Sequence, residues 1–201
     1  MARFFVFNRH NPPVDLVEIG GNPFPMSEPS PLFLAVQSAL QKAGWEFAPI
    51  EGEDREVLRL DFDAHHTRIP VTLQIFGPIG AVAVVTENSH NAPAHTRQKL
   101  TELLMRTNLQ LTIGNFELNW DNLRVFFRMT NLFTAVNELE RSLPGMVSAC
   151  VAEMDRMTPQ IAELITVAEA EIEDYDIGRL MRREDYLPDP ENTAPTGLEL
   201  E

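Results

Sequence analysis

Asp61, Asp63, His65 and His66 are the side chains of this chain whose types and spacing come closest to a reactive centre. Carboxylates and imidazoles together suit zinc or manganese. The alternation of residues 57–63 puts Asp61 and Asp63 on one side of a strand, and His65 continues that side. Such a set belongs to a metal-dependent hydrolase. His66 points elsewhere, however, and no second Asp/His cluster lies nearby. The plainer reading is a polar strand face running into a turn. His90 and His95 flank Asn91–Ala94 without ligand spacing and read as exposed. Cys150 lies on an apolar helical stripe, with no local base or positive setting to make it a nucleophile, and reads as a buried small residue. No P-loop, dinucleotide fingerprint or Gly-x-Ser-x-Gly elbow is present, and Gly20-Gly21 and Gly77–Gly80 read as turns. The residues therefore point away from an enzyme, and they assign no catalytic residue, metal or cofactor. The metal-dependent hydrolase stands as an alternative, and a regulator with a small ligand between helix and sheet as another.

Composition narrows the class further. The chain has 201 residues, 44% hydrophobic and 23% charged, which suits a soluble globular protein of one domain plus extensions or of two small domains. One cysteine excludes a disulfide framework within the chain. Phe4–Phe7 is too short for a signal peptide's apolar region, and no stretch reaches the length of a membrane span. A reducing, cytoplasmic compartment is expected. The formal charge is −14, and residues 169–201 contribute −8 of it. Such a body repels nucleic-acid backbones and acidic membranes, because both recruit Lys and Arg. The acidic C-terminal stretch reads as a solvated tail, or as a tail that meets a basic partner surface.

The elements that must position these residues read as follows. Residues 1–31 form a Pro-rich arm, anchored by Phe4–Phe7 and by Leu16, Val17 and Ile19. Ser30-Pro31 is a helix start, and Gly44 a stop. Residues 45–50, 57–63, 69–75 and 81–85 predict an antiparallel meander, with Glu51–Asp54 as a turn. Pro70 suggests an edge or the first residues of a strand. The apolar run Ala81–Val85 reads as a central strand. A second helix is predicted over 93–107 and a strand directly after it, with a bulge at Gly114-Asn115 where the inward face flips. Asp121-Asn122 predicts a two-residue hairpin turn, with Leu123, Val125, Phe127 and Met129 returning inward. Residues 132–143 and 146–168 predict helices, interrupted at Pro144-Gly145 and kinked at Thr158-Pro159. Disorder is expected over 187–201. The fold class is α+β: helix, antiparallel meander, helix, β-hairpin, C-terminal helices.

Residues 103–131, LLMRTNLQLTIGNFELNWDNLRVFFRMTN, resemble the YbjN family, through Asn108 ending a helix, Gly114 and Phe116 in a strand, and the Asp121-Asn122 turn. Residues 40–47, LQKAGWEF, are similar to that family's first helix and first strand. The resemblance spans roughly 32–168 and implies a fold like that of type III secretion chaperones. It implies a domain that is often dimeric, binds other proteins and has no established catalysis. The chain then divides into an arm over 1–31, a YbjN-like domain over 32–172 and an acidic tail over 173–201.

The function expected is a non-enzymatic protein-binding module, chaperone-like or regulatory. An apolar sheet face or edge meets an extended partner segment, and the partner protein stays unnamed. The reading leaves room for a homodimer. Leu100, Leu103, Leu104, Phe116, Trp120 and Phe127 are the candidate partner-binding residues. Trp45, Phe47, Phe116, Trp120 and Phe127 read as core, and any left exposed marks an interface. Arg97, Arg106, Arg124 and Arg128 read either as a small basic face or as partners in surface ion pairs.

Overall fold

The computed structural model describes residues 29–50 and 56–183. The expectations for the arm before Pro29, the 51–54 turn and the tail after Arg183 lie outside the described residues. Helix α1 (Pro31–Lys42) begins as its sequence dictates: the Ser30 hydroxyl accepts from the Phe33 N–H at 3.1 Å, and Pro31 is the first helical residue. Gly44 ends it at φ +73°, with Gly44 N–H on Gln41 O and Trp45 N–H on Leu40 O. This paired left-handed closure satisfies carbonyls of the last turn.

Six strands follow: β1 (Ala48–Ile50), β2 (Glu56–Asp63), β3 (Arg68–Phe76), β4 (Ala81–Glu87), β5 (Asn115–Leu118) and β6 (Val125–Leu132). They form one antiparallel sheet in the order β1-β2-β3-β4-β6-β5. The protein is α+β, as its element order predicts. Leu58, Leu73, Val84 and Met129 stand in one row across four strands, all inward. β4 is central and buried along most of its length. Pro70 does not mark an edge strand. It is the third residue of β3 and pairs with Asp61 of β2, while the β3–β4 ladder begins only at Val71. Its missing N–H therefore costs no bond on the β4 side.

Helix α3 (Val136–Ile165) covers the inner face together with α1. It is one continuous helix through Pro144 and Pro159, against the expected interruption at Pro144-Gly145. Thirteen buried residues along it explain this, because packing against the sheet outweighs two lost backbone bonds. Helix α2 (Arg97–Asn108) follows a 3-10 turn at Ala94–Thr96 and packs on β5, α3 and the short helix α4 (Ile177–Met181). Ile172, Ile177 and Leu180 belong to the core, so packing runs beyond residue 172.

Two turns differ from expectation. Residues 109–114 are not a strand: they bend away after α2, and Gly114 at φ +70° leads into β5. The Asn108 side chain holds this bend by accepting from Phe116 N–H at 2.7 Å and donating to Phe116 O at 3.0 Å. Between β5 and β6 the loop is six residues, 119–124, rather than two. Asn119 organises it: its side chain accepts from Asp121 N–H, and its carbonyl from Leu123 N–H. The positive φ falls on Leu123, at 56°, where side-chain burial offsets the strain.

Candidate interaction edge

The strongest sequence candidates for chemistry are separated by the fold. Asp61 lies on the outer sheet face, 3.8 Å from Arg59 and 3.4 Å from Arg68. His66 turns the other way, to α3. Its N–H donates to Asp155 Oδ1 at 2.8 Å and its Nδ1 lies 3.2 Å from Oδ2. The His65 ring stands edge-on to His66 at 4.6 Å. Among the described residues no three His, Cys, Asp or Glu side chains converge on a cation position. His95 Nε2 donates to Val167 O at 2.9 Å, and the His90 ring meets the Asn88 side chain, so both serve loop structure. Cys150 is buried with its thiol toward Val84 O, and burial pushes its pKa up to about 12. A thiol held protonated in this way is no nucleophile at neutral pH.

The arginines read as a basic face are mostly paired. Arg106 meets Glu102 at 2.6 Å, Arg128 meets Glu117 at 2.9 Å, and Arg124 lies 2.6 Å from Glu87 Oε1, at an angle outside hydrogen-bonding geometry. Arg97 stacks on the Trp120 ring at 5.0 Å. Arg128 also reaches Gln74 Oε1 at 3.1 Å on β3. Its stem therefore lies across β4, where the small outer-face residues Ala83 and Val85 leave room beneath it.

This decides where an apolar partner could sit. The uncovered sheet face is a mosaic in which Arg59, Asp61, Arg68, Thr72, Gln74 and Arg128 stand among the half-buried Val57, Phe76 and Phe126, so charge interrupts its apolar surface. Five of the six candidate partner-binding residues, Leu100, Leu103, Leu104, Phe116 and Phe127, are buried. The leucines fill the space between α2 and the sheet, and Phe116 stacks on Phe127 at 4.8 Å. Amphipathic spacing marks a packed face, and here that face is packed within the chain itself. Trp120 is the sixth, and it is 55% exposed.

The edges of the sheet differ from each other. β1 is short and exposed, with Pro49 at its centre, a residue that resists addition of a further strand. At the other side β5 pairs only with Val125–Arg128, whereas β6 continues to Leu132. The direction of the free backbone groups follows from two bonds. Asn88 N–H donates to Val125 O, and Phe133 N–H to Gly80 O. Odd-numbered residues of β6 thus turn their backbone groups to β4, and even-numbered ones turn away. Beyond Arg128 those of Thr130 and Leu132 face a side where β5 has ended. Leu132 N–H turns to the side chain of its neighbour, Asn131 Oδ1, at 2.9 Å. A groove of about 460 Å³ opens beside this stretch, lined by Ile113, Gly114, Met129, Thr130, Asn131 and Met146 among others. Ile113 is 58% exposed and Leu132 65%.

Sequence reasoning missed this edge. It placed Leu132 on the stripe of the following helix and Ile113 inside a strand. The unequal lengths of β5 and β6, which create the opening, leave no composition signal.

No family model matches the chain, and no curated protein matches it. Among solved structures, one chain of "Crystal Structure of the ExsC-ExsE Complex" is similar at 9% identity and a TM-score of 0.46, covering 64% of this chain and 91% of that one.

Proposed function

We propose that this chain is a non-enzymatic protein-binding module, chaperone-like or regulatory, that takes an extended partner segment at the open end of β6. The observation that carries the reading is the stretch Met129–Leu132, which pairs with β4 on one side and has no strand partner among the described residues on the other, beside the groove that Ile113 lines. Backbone pairing supplies affinity there, and the exposed Ile113 and Leu132 supply apolar contact. The YbjN resemblance of residues 103–131, and with it a cytoplasmic setting and a homodimer, belongs to the same proposal. Among the described residues no helix is long and apolar enough to cross a membrane.

The test uses Thr130→Pro. Because the Thr130 N–H faces outward, proline there removes the donor an added strand needs but no bond to β4. A protein partner that co-purifies with the wild-type chain should be lost with Thr130→Pro and with Ile113→Asp, while circular dichroism and melting stay near wild type. A partner retained by both folded variants refutes the site.

A further inference from the structure

We propose that the open edge of β6 is occupied in the free protein by the chain's own N-terminal segment Phe4–Phe7, which pairs with Thr130 and Leu132 as an added strand and so competes with a partner. This rests on the reading of the β6 edge as the binding site and adds its regulation.

Three observations favour this occupant. The first is chemistry. Phe4-Phe5-Val6-Phe7 is four consecutive aromatic and β-branched residues, the types that favour a strand, with a polar Arg3 before and Asn8 after. Its length matches the four residues of β6 that lack a β5 partner, Met129–Leu132. The second is fit. In an added strand alternate side chains point toward the groove, which is lined by the exposed Ile113 and by Met129 and Met146, soft core side chains that pack well on aromatic rings. The third is reach. Ser30 is fastened at the end of the sheet where β6 also finishes. Its N–H donates to Glu56 Oε1 at 2.6 Å, and its side chain lies against Gly77, where a Cβ would come within 2.8 Å of it. Gly80, at the close of the same turn, accepts from Phe133 next to Leu132. From β3 across β4 and β6 to an added strand is three strand spacings, about 15 Å. Residues 8–29 connect the two, and 22 residues can extend to roughly 70 Å. A tethered segment of this kind acts at an effective concentration on the order of millimolar, so four residues that pair weakly as a free peptide suffice.

The experiment measures amide hydrogen exchange at Thr130 by NMR on the full chain, in wild type, Val6→Pro and Phe5→Asp. Val6→Pro keeps the segment apolar but stops it pairing as a strand. An arm on the edge about nine-tenths of the time slows exchange at Thr130 about tenfold and weakens partner binding about tenfold, since the two read the same free fraction. Wild type should therefore exchange more slowly than both variants, at a rate independent of protein concentration. A synthetic peptide of residues 2–9 added to Val6→Pro should restore the slow rate. Equal exchange in all three chains overturns the proposal. So does slow exchange that fades on dilution, which assigns the edge to a second copy instead. The partner reading is tested separately: unchanged exchange in Val6→Pro together with a partner lost in Thr130→Pro removes the arm and keeps the binding site. Faster exchange in Val6→Pro with no partner at the edge does the reverse.

Discussion

Replacing Gly114 by alanine tests the account of how β5 is brought into the sheet. Gly114 sits at φ +70°, and a Cβ there would lie 2.5 Å from Phe127 Cζ, 2.8 Å from Phe127 Cε1 and 3.0 Å from the Arg128 carbonyl. Phe127 is fully buried, and its ring is held by Phe116, so it has nowhere to withdraw. The left-handed conformation costs an L-residue about 1–2 kcal/mol. Forcing the ring and the β6 backbone apart adds about 1–3 kcal/mol. Gly114→Ala should therefore destabilise by roughly 2–5 kcal/mol. Gly44 supplies the control, because it has nearly the same φ, +73°, and nothing within 4 Å of its Cβ position. Gly44→Ala should cost only the conformational part, about 1–2 kcal/mol. Urea unfolding followed by circular dichroism measures both, with the slope checked for constancy between variants. Equal losses in the two variants refute the claim that Phe127 and β6 close over Gly114. A Gly114→Ala chain as stable as wild type refutes the left-handed turn as well.

Other outcomes follow from the same structure. Gly145→Ala, in the middle of α3 with open space at its Cβ, should raise stability by about 0.5–1 kcal/mol in the same urea assay. Leu103→Ala should lose about 2–5 kcal/mol of stability, whereas Trp120→Ala should change melting little; a large loss of melting temperature in the tryptophan variant contradicts its exposure. Asp155→Ala leaves His66 N–H without its acceptor and should cost about 1–3 kcal/mol, read by urea unfolding. Alkaline pH should destabilise the fold with a definite sign. The native Cys150 thiol keeps its proton above its ordinary value of 9.0, up to about 12, chiefly through burial. Tyr175 likewise rises from 10.0 to about 12, through burial and its hydroxyl's bond to Glu163. The unfolded chain releases both protons first, so stability is level below pH 9.0 and falls as pH rises toward 12. Melting of Cys150→Ala with pH should show a shallower fall, and an unchanged profile contradicts the buried thiol.

Local signals made much of the fold legible. Ser30-Pro31 and Gly44 bracket α1 because each residue type satisfies one end of the helix. The alternation in β2 and β3, and the unbroken apolar run of β4, report how many faces of each strand are covered. What escaped depends on residues far apart in the chain. Pro144 and Pro159 are breakers on local grounds, but the sheet under α3 holds the helix together across both. Leu109 and Ile113 continue a strand pattern, but Asn108 clasps Phe116 and the chain between them bends out. The same limit applied to the site. An apolar stripe such as Leu100, Leu103 and Leu104 looks alike whether it meets its own sheet or a partner. The site proposed instead is a strand edge without a partner among the described residues, and only the assembled sheet displays it.

The packing of α1 against α3 bears on how the chain is made. Lys42 at the end of α1 meets Glu140 near the start of α3 at 2.6 Å, across 98 positions of sequence. A ribosome delivers α1 and the first four strands well before α3. At about 5–20 residues per second, the inner rows of β2, β3 and β4 stay uncovered for several seconds. In that interval the nascent meander presents Leu58, Leu73 and Val84 to solvent or to any chaperone near the exit tunnel. Cooperative closure waits for the last third of the described body, so a premature stop anywhere before α3 leaves a sticky half-sheet rather than a smaller stable protein.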